Sequence, residues 1–92
     1  MERNFNCNLG EIDIITLDKN EIVFVEVKTR SNLNYGFASE AVNQIKKKHL
    51  INTIKYYLHI RNLENEFIRI DVIEVYIKKS RTYVHHIKQA IE

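Results

Sequence analysis

Two short apolar segments separated by turn-forming residues constrain the fold of this chain more than any other feature. Residues 11–17 and 21–29 each have the length and β-branched content of a strand. Asp18, Lys19 and Asn20 between them favour a tight turn. The second segment is apolar on both faces near its start, which is typical of a strand in the middle of a sheet. The sequence therefore predicts a hairpin whose second strand is central.

Three further segments are predicted to join this hairpin in one sheet. Residues 4–9 alternate between polar and apolar side chains, and residues 67–77 are rich in β-branched and aromatic residues. A turn at Ser80–Arg81 is followed by a shorter strand over 82–87. In the long strand, Asp71 shares a face with Arg69 and is interpreted as a structural residue paired with an arginine or lysine.

One helix is expected between the third and fourth strands. It is predicted to begin with Asn43 as its N-cap and to end near Arg61–Asn62, which leaves residues 31–42 as a loop. Ile45 does not share the apolar stripe of this helix, which argues against an earlier start. The predicted order is β-β-β-α-β-β, an α/β (α+β) fold with a mixed sheet. The helix suits a crossover between parallel strands.

The bulk composition excludes several classes of protein. Ninety-two residues allow one small domain, expected to span residues 1–92. A net charge of +2 is too small to argue for nucleic-acid binding by itself. The single cysteine, Cys7, excludes an internal disulfide framework and suits a reducing compartment. No secretory signal follows Met1 and no apolar run approaches the ~20 residues of a membrane span, so a cytoplasmic protein is expected.

The hairpin is predicted to bring two carboxylates together. Side chains alternate along a strand, so a two-residue turn at Lys19–Asn20 that pairs Asp18 with Glu21 also places Asp13 opposite Glu26. Directly opposed residues have Cβ atoms about 4.5–5.5 Å apart, and like charges at that separation are destabilising. A cation between the two carboxylates would relieve this repulsion.

A hard divalent cation is the natural occupant of such a site, because it takes oxygen ligands. Asp13, Glu26 and the Val27 carbonyl could hold Mg²⁺, and Lys28 could orient or deprotonate a water molecule. In the same register Glu11 falls opposite Lys28. The same residues also suit a surface hairpin with cross-strand ion pairs. The residue pattern alone leaves both interpretations open.

Asp13 followed by Glu26-Val27-Lys28 on the next strand, and then by a helix, resembles the PD-(D/E)XK nuclease superfamily. The segments ERNFNCNLGEIDII, VFVEVKTR, YGFASEAVNQIKKKHL and FIRIDVIEV closely resemble the YraN family of bacterial proteins. This resemblance implies a restriction-endonuclease-like core similar to that of archaeal Holliday-junction resolvases. It implies Mg²⁺- or Mn²⁺-dependent cleavage of branched or structured DNA, with Asp13, Glu26 and Lys28 as the catalytic residues.

The sequence departs from the YraN family at its start. Relatives begin with a helix that carries an acidic residue at the edge of the site, and no such helix precedes Glu2 here. Glu11 and Glu40 are the candidates to replace that acid. The uncovered sheet face is expected to favour a homodimer. The departure also favours an alternative function, a non-catalytic nucleic-acid-binding or DNA-processing accessory module with the same fold.

Basic residues near the predicted site are candidates for binding nucleic acid. Arg30 follows the Glu26-Val27-Lys28 strand, and Lys46, Lys47 and Lys48 fall on the first turns of the predicted helix. Positive charges there oppose the helix dipole. Such an arrangement is explained if the lysines bind phosphate, although a solvated helix face is the simpler alternative.

Overall fold

The structure, a computed structural model, describes residues 2–30 and 38–91, with the side chains of residues 2–29, 44–77 and 79–90. These residues form an α+β fold of one helix and one five-stranded mixed sheet. The elements are β1 Glu2–Cys7, β2 Gly10–Asp18, β3 Glu21–Arg30, α1 Ala38–Ile60, β4 Ile68–Lys78 and β5 Arg81–Ile91. The strand order in the sheet is β1-β2-β3-β4-β5. The pair β3–β4 is parallel and all other pairs are antiparallel, so the predicted parallel crossover is confirmed.

The β2–β3 hairpin has the predicted two-residue turn. Lys19 and Asn20 both have positive φ angles, 49° and 69°, as a type I′ turn requires. Asp18 pairs with Glu21, and the ladder continues without a shift to Ile14 opposite Val25. The predicted register is therefore confirmed over this range, and β3 lies at the centre of the sheet as predicted.

The helix begins earlier than the sequence analysis predicts. It starts at Ala38, so the expected N-cap, Asn43, lies inside the helix. Residues 38–42 of the predicted loop are thus helical, and residues 31–37 lie outside the described part of the chain. The prediction was wrong because it required an apolar stripe, whereas the early helix extends beyond the packed region, as the 60% exposure of Ile45 shows.

The helix ends where predicted, in a Schellman motif. Asn62 has a φ of 56° and donates its N–H to the His59 carbonyl at 3.2 Å. The Leu63 N–H reaches the Leu58 carbonyl at 2.8 Å, and both leucine side chains pack against the core. Asparagine tolerates the left-handed conformation, which explains the stop in a chain with no glycine at this position.

The last strand differs most from its prediction. The turn lies at Lys79–Ser80 instead of Ser80–Arg81, and β5 continues to Ile91 instead of ending near residue 87. A register shift between Ile70 and Val72 absorbs extra residues on β5, so that pairing with β4 resumes beyond it. A bulge interrupts the side-chain alternation of a strand without ending the strand. The prediction relied on alternation, so it ended β5 too early.

The core lies between α1 and one face of the sheet. Phe5 and Phe24 pack edge-on against the Tyr57 ring, with ring centroids 5.0 and 5.8 Å away. Eight buried side chains form this cluster: Ile12, Ile15, Ile22, Phe24, Leu50, Ile54, Tyr57 and Ile70. None of the helices in the described part of the chain is long and apolar enough to span a membrane.

Strands β1 and β2 share an irregularity at Asp13. Ile12 and Ile15 both lie in the core under α1, although residues three apart face opposite sides of a regular strand. The β1–β2 pairing runs through Arg3–Ile14 and Phe5–Ile12 but skips the position between them. Asn4, at that position on β1, has a φ of 55°. The side-chain alternation of both strands is therefore interrupted at this position, and Asp13 is the β2 residue that lies there.

The opposite sheet face carries a buried ion pair. Asp71 is only 1% exposed and accepts two hydrogen bonds from Arg69, at 2.9 and 3.2 Å. The expected arginine partner of Asp71 is therefore confirmed. Its carboxylate also contacts His86 Nε2 at 2.7 Å and accepts the Gln89 N–H at 3.1 Å, which ties β5 to β4.

Candidate functional site

The Asp13 carboxylate is held directly against the main chain of β3. Its Oδ2 atom accepts a hydrogen bond from the Val27 N–H at 2.8 Å. The β2–β3 ladder extends to the pair Ile14–Val25. Beyond that pair, the Asp13 side chain accepts the hydrogen bond from the β3 main chain. The structure thus brings Asp13 to the Glu26-Val27-Lys28 segment, through the amide of Val27 instead of a face-to-face pair with Glu26.

Glu26 and Lys28 continue the core face of β3 beyond the packed residues. They alternate with Ile22 and Phe24, which lie in the core cluster under α1. Both side chains are half-buried. Within the described part of the chain, neither makes a hydrogen bond or an ion pair. The Glu26 carboxylate is therefore available to a ligand at the point where the core face meets solvent.

The Val27 main chain points toward β2. In an antiparallel pair, the N–H and C=O of one residue are directed to the same neighbouring strand. Because the Val27 N–H donates to Asp13, the Val27 carbonyl lies on the same side. The Asp13 carboxylate and the Val27 carbonyl therefore both lie on the β2 side of this segment.

Two open pockets meet at Glu26 and Lys46, between the sheet and the first half of α1. The first, about 250 Å³, is called the basic pocket and is lined by Glu26, Lys28, Gln44, Lys46, Lys47, Val72, Glu74, Ile87 and Ala90. The second, about 350 Å³, is called the acidic pocket and is lined by Gly10, Glu11, Glu26, Ile45, Lys46, His49 and Leu50.

The two pockets differ in charge. Among the described residues, three lysines and two carboxylates line the basic pocket, a formally positive set. Two carboxylates and one lysine of the described residues line the acidic pocket, a formally negative set when His49 is neutral. Glu26 and Lys46 lie on the boundary and belong to both. The formal charge of the lining therefore changes from positive to negative across the Glu26 and Lys46 side chains.

The predicted nucleic-acid-binding residues divide into three groups. Lys46 and Lys47 line the basic pocket. Lys48 is exposed and lines neither pocket. The side chain of Arg30 lies outside the described residues, as does that of Glu40, the candidate replacement for the missing acid. Because α1 begins at Ala38, these lysines are beyond its first turn, so the expected conflict with the helix dipole was wrong.

Gly10 explains how α1 approaches the start of β2. Its φ of 152° lies outside the range that other residues readily adopt. A Cβ atom at this position would lie 2.9 Å from Thr53 Oγ1 on the helix. The glycine therefore allows the close approach that forms the acidic pocket, a role beyond the bend that the sequence suggests.

The polar pocket residues Gln44, His49 and Glu74 are not among the predicted site residues. Lys46 and His49 are three residues apart on a helix and hence neighbours on its surface, which is a signal that could have linked them. Glu74 is the cross-strand partner of Lys28, but this pairing depends on the register of the parallel β3–β4 ladder. No local pattern fixes that register.

The donor set suits a hard cation better than a soft one. Within the part of the chain that the structure describes, no group of three or more histidine, cysteine or acidic side chains is arranged to hold a metal ion. Asp13 and the Val27 carbonyl lie on the β2 side of β3, and Glu26, the residue before Val27, is the second carboxylate of the segment. An ion here would keep several water ligands, as Mg²⁺ commonly does, so the residues present fit Mg²⁺ or Mn²⁺.

Comparison with known proteins places the chain in a bacterial family. Residues 1–75 match the family model described as "Uncharacterised protein family UPF0102". A UPF0102 protein of Clostridioides difficile is 46% identical over 90 residues, which cover 98% of this chain and 77% of that protein. One from Clostridium perfringens is 45% identical over 92 residues, covering 98% and 75%, respectively. One from Clostridium botulinum is 53% identical over 76 residues, covering 82% and 62%. The chain therefore belongs to the UPF0102 family, the YraN family that its sequence resembles.

Proposed function

We propose that this protein hydrolyses phosphodiester bonds in branched or structured DNA, with Mg²⁺ or Mn²⁺ as cofactor, on a restriction-endonuclease-like fold. The observation that carries the proposal is the 2.8 Å hydrogen bond between Asp13 and the Val27 N–H. This bond holds the carboxylate of one strand against the Glu26-Val27-Lys28 segment of the next. Resemblance to the PD-(D/E)XK pattern supports the same assignment.

Asp13, Glu26 and the Val27 carbonyl would hold the cation. When bound, a divalent cation polarises a phosphoryl oxygen and lowers the pKa of a coordinated water molecule. The Val27 N–H orients one carboxylate oxygen of Asp13, leaving the other for the ion. Glu26, half-buried and unpaired among the described residues, is positioned without a competing partner.

Lys28 is proposed to act on the reacting water or on the developing charge. It shares the core face of β3 with Glu26 and lines the basic pocket. An ammonium group at this position can donate a hydrogen bond to the attacking water, or to a phosphoryl oxygen that gains charge in the transition state. Lys46 and Lys47 lie on the opposite wall of the pocket, on α1, and attract the DNA backbone.

A cleavage assay tests the proposal directly. The protein is incubated with linear, single-stranded and four-way-junction DNA in Mg²⁺, Mn²⁺ or EDTA. We expect cutting that requires metal and that Asp13→Asn removes, since asparagine can still accept the Val27 hydrogen bond but lacks the charge. Glu66→Gln, an exposed acid far along the chain, is the matched control and should cut normally. Absence of any metal-dependent cutting that Asp13→Asn removes contradicts the proposal.

A non-catalytic nucleic-acid-binding or DNA-processing accessory module is the second candidate function. The positive charge of the basic pocket favours it, because those lysines can bind phosphate without a metal. This alternative predicts salt-dependent DNA binding without cleavage, weakened when Lys46–Lys48 are changed to glutamate. Binding that is insensitive to those three changes rules it out.

A further inference from the structure

We propose that the basic pocket is a phosphate-binding subsite that receives the phosphate next to the one that reacts. This inference rests on the proposed function, because it takes Asp13 and Glu26 as the reacting centre. It names the substrate class of that centre as a nucleic-acid strand with at least two consecutive phosphates. A mononucleotide or a simple diester has only one phosphate and cannot occupy both positions.

The change of sign across Glu26 supports two separate positions. A divalent cation is attracted to the carboxylate side, where Glu11 and Glu26 outnumber Lys46. A second phosphate is repelled from that side and attracted to the three lysines on the other. The boundary residues Glu26 and Lys46 belong to both pockets, so the two positions are adjacent. Adjacent phosphates of one strand match this arrangement.

Lys47 is the lysine best prepared for such a phosphate. It is half-buried, whereas its neighbours Lys46 and Lys48 are exposed. Packing its aliphatic stem against the protein reduces the side-chain freedom lost on binding, while its charged head reaches the pocket. Lys47 lines only the basic pocket and lies outside the proposed cation ligands. A change at Lys47 therefore tests the subsite and leaves the proposed cation ligands in place.

The carboxylate of Glu74 does not cancel the positive charge of the pocket. Glu74 is the cross-strand partner of Lys28, and its Oε1 atom lies 3.5 Å from His85 Nδ1. Its carboxylate therefore lies at the wall of the pocket that β3 and β4 form. Lys46 and Lys47 enter from the opposite wall, on α1, where no acidic side chain lines the pocket among the described residues. A phosphate bound near α1 would therefore lie mainly against the ammonium groups of Lys46 and Lys47.

Metal-free binding measurements test the subsite. A dinucleotide with one phosphate, a trinucleotide with two, and a longer single strand are titrated in EDTA against the wild type, Lys47→Gln and Lys55→Gln. Lys55 is exposed, lies on the same helix and lines neither pocket, so its variant matches the charge change. NMR chemical-shift titrations give the weak affinities for the short ligands. The salt dependence of the affinity for the longer strand gives the number of its phosphate contacts with the protein.

Without a cation the carboxylate side repels phosphate, so the dinucleotide and the trinucleotide should both bind the wild type through the basic pocket, and Lys47→Gln should weaken both several-fold. The slope of log affinity against log salt should fall by about 0.7 in Lys47→Gln, as for one lost contact to a single strand. Lys55→Gln should match the wild type in both. If Lys47→Gln and Lys55→Gln behave alike, the subsite is overturned.

The outcome separates this inference from the proposed function. Lys47-dependent phosphate binding without any metal-dependent cleavage removes the nuclease proposal but retains a phosphate site. Metal-dependent cleavage by the wild type, with no specific effect of Lys47→Gln on binding, retains the nuclease and removes the subsite.

Discussion

Replacing Asp71 by asparagine is expected to destabilise the protein by about 3 kcal/mol. Asp71 is 1% exposed, and its oxygens accept hydrogen bonds from Arg69 and from the Gln89 N–H, besides the 2.7 Å contact to His86. Breaking a buried ion pair by removing one partner costs about 3–5 kcal/mol. The lower end applies because Arg69 retains Asp18 at 3.1 Å.

Thermal unfolding measures this loss. For a domain of this length, about 1 kcal/mol corresponds to a shift of roughly 4–8 °C in Tm, so Asp71→Asn should lower Tm by about 12–24 °C. Glu64→Gln is the control: its ion pair with His59, 3.3 Å long, joins side chains that are 59% and 74% exposed. Exposed pairs contribute about 0–1 kcal/mol. Equal Tm values for the two variants would refute the reasoning.

The pH dependence of this difference has a definite sign. Burial by itself raises the pKa of Asp71, but hydrogen bonds from Arg69, His86 and the Gln89 amide outweigh it and hold the pKa below its usual value of 3.8. A group with a depressed native pKa stabilises the fold above its unfolded pKa and loses this contribution as the pH falls through the native pKa. The gap between wild type and Asp71→Asn should therefore be constant near neutral pH and shrink below pH 3.8.

Two backbone positions give further predictions. Gly10→Ala should destabilise the protein by about 1–3 kcal/mol, because of its φ of 152° and the 2.9 Å approach to Thr53 Oγ1. Adding Thr53→Ala should recover only the contact part in urea unfolding, and full recovery would contradict the backbone argument. Asn62→Ala should cost about 1 kcal/mol, because Asn62 has a φ of 56° at the helix end, whereas Asn62→Gly should not. Equal stability of the alanine and glycine variants, measured by circular dichroism, would contradict that reading.

Local patterns predict the hairpin and its register because a type I′ turn fixes both strands at once. Asn20 accepts the required positive φ, and alternation then carries the pairing from Asp18–Glu21 to Ile14–Val25. The start of α1 is not predictable in this way, because its first turns extend beyond the packed stripe and leave Ile45 exposed. Similarly, the far end of β5 depends on a bulge that side-chain alternation does not report.

The candidate site is predictable in part for the same reason. Asp13, Glu26 and Lys28 lie on one hairpin, so strand geometry brings them together. Asp13 contacts the Val27 amide at the position where the alternation of β1 and β2 is interrupted, opposite Asn4 with its positive φ. Side-chain alternation alone does not predict such an interruption. The residues that α1 and β4 add depend on how these elements pack on the sheet, which no short segment specifies.

Titration calorimetry with Mg²⁺ and Mn²⁺ alone tests the central claim most directly. The wild type should show saturable binding of a divalent cation. Glu26→Gln should abolish that binding, because it removes one of the two carboxylate ligands while keeping the shape of the side chain. Glu66→Gln, an exposed acid outside both pockets, should bind as the wild type does. A wild type that binds neither ion, or a Glu26→Gln variant that binds equally well, would contradict the assignment of Asp13 and Glu26 as a metal site.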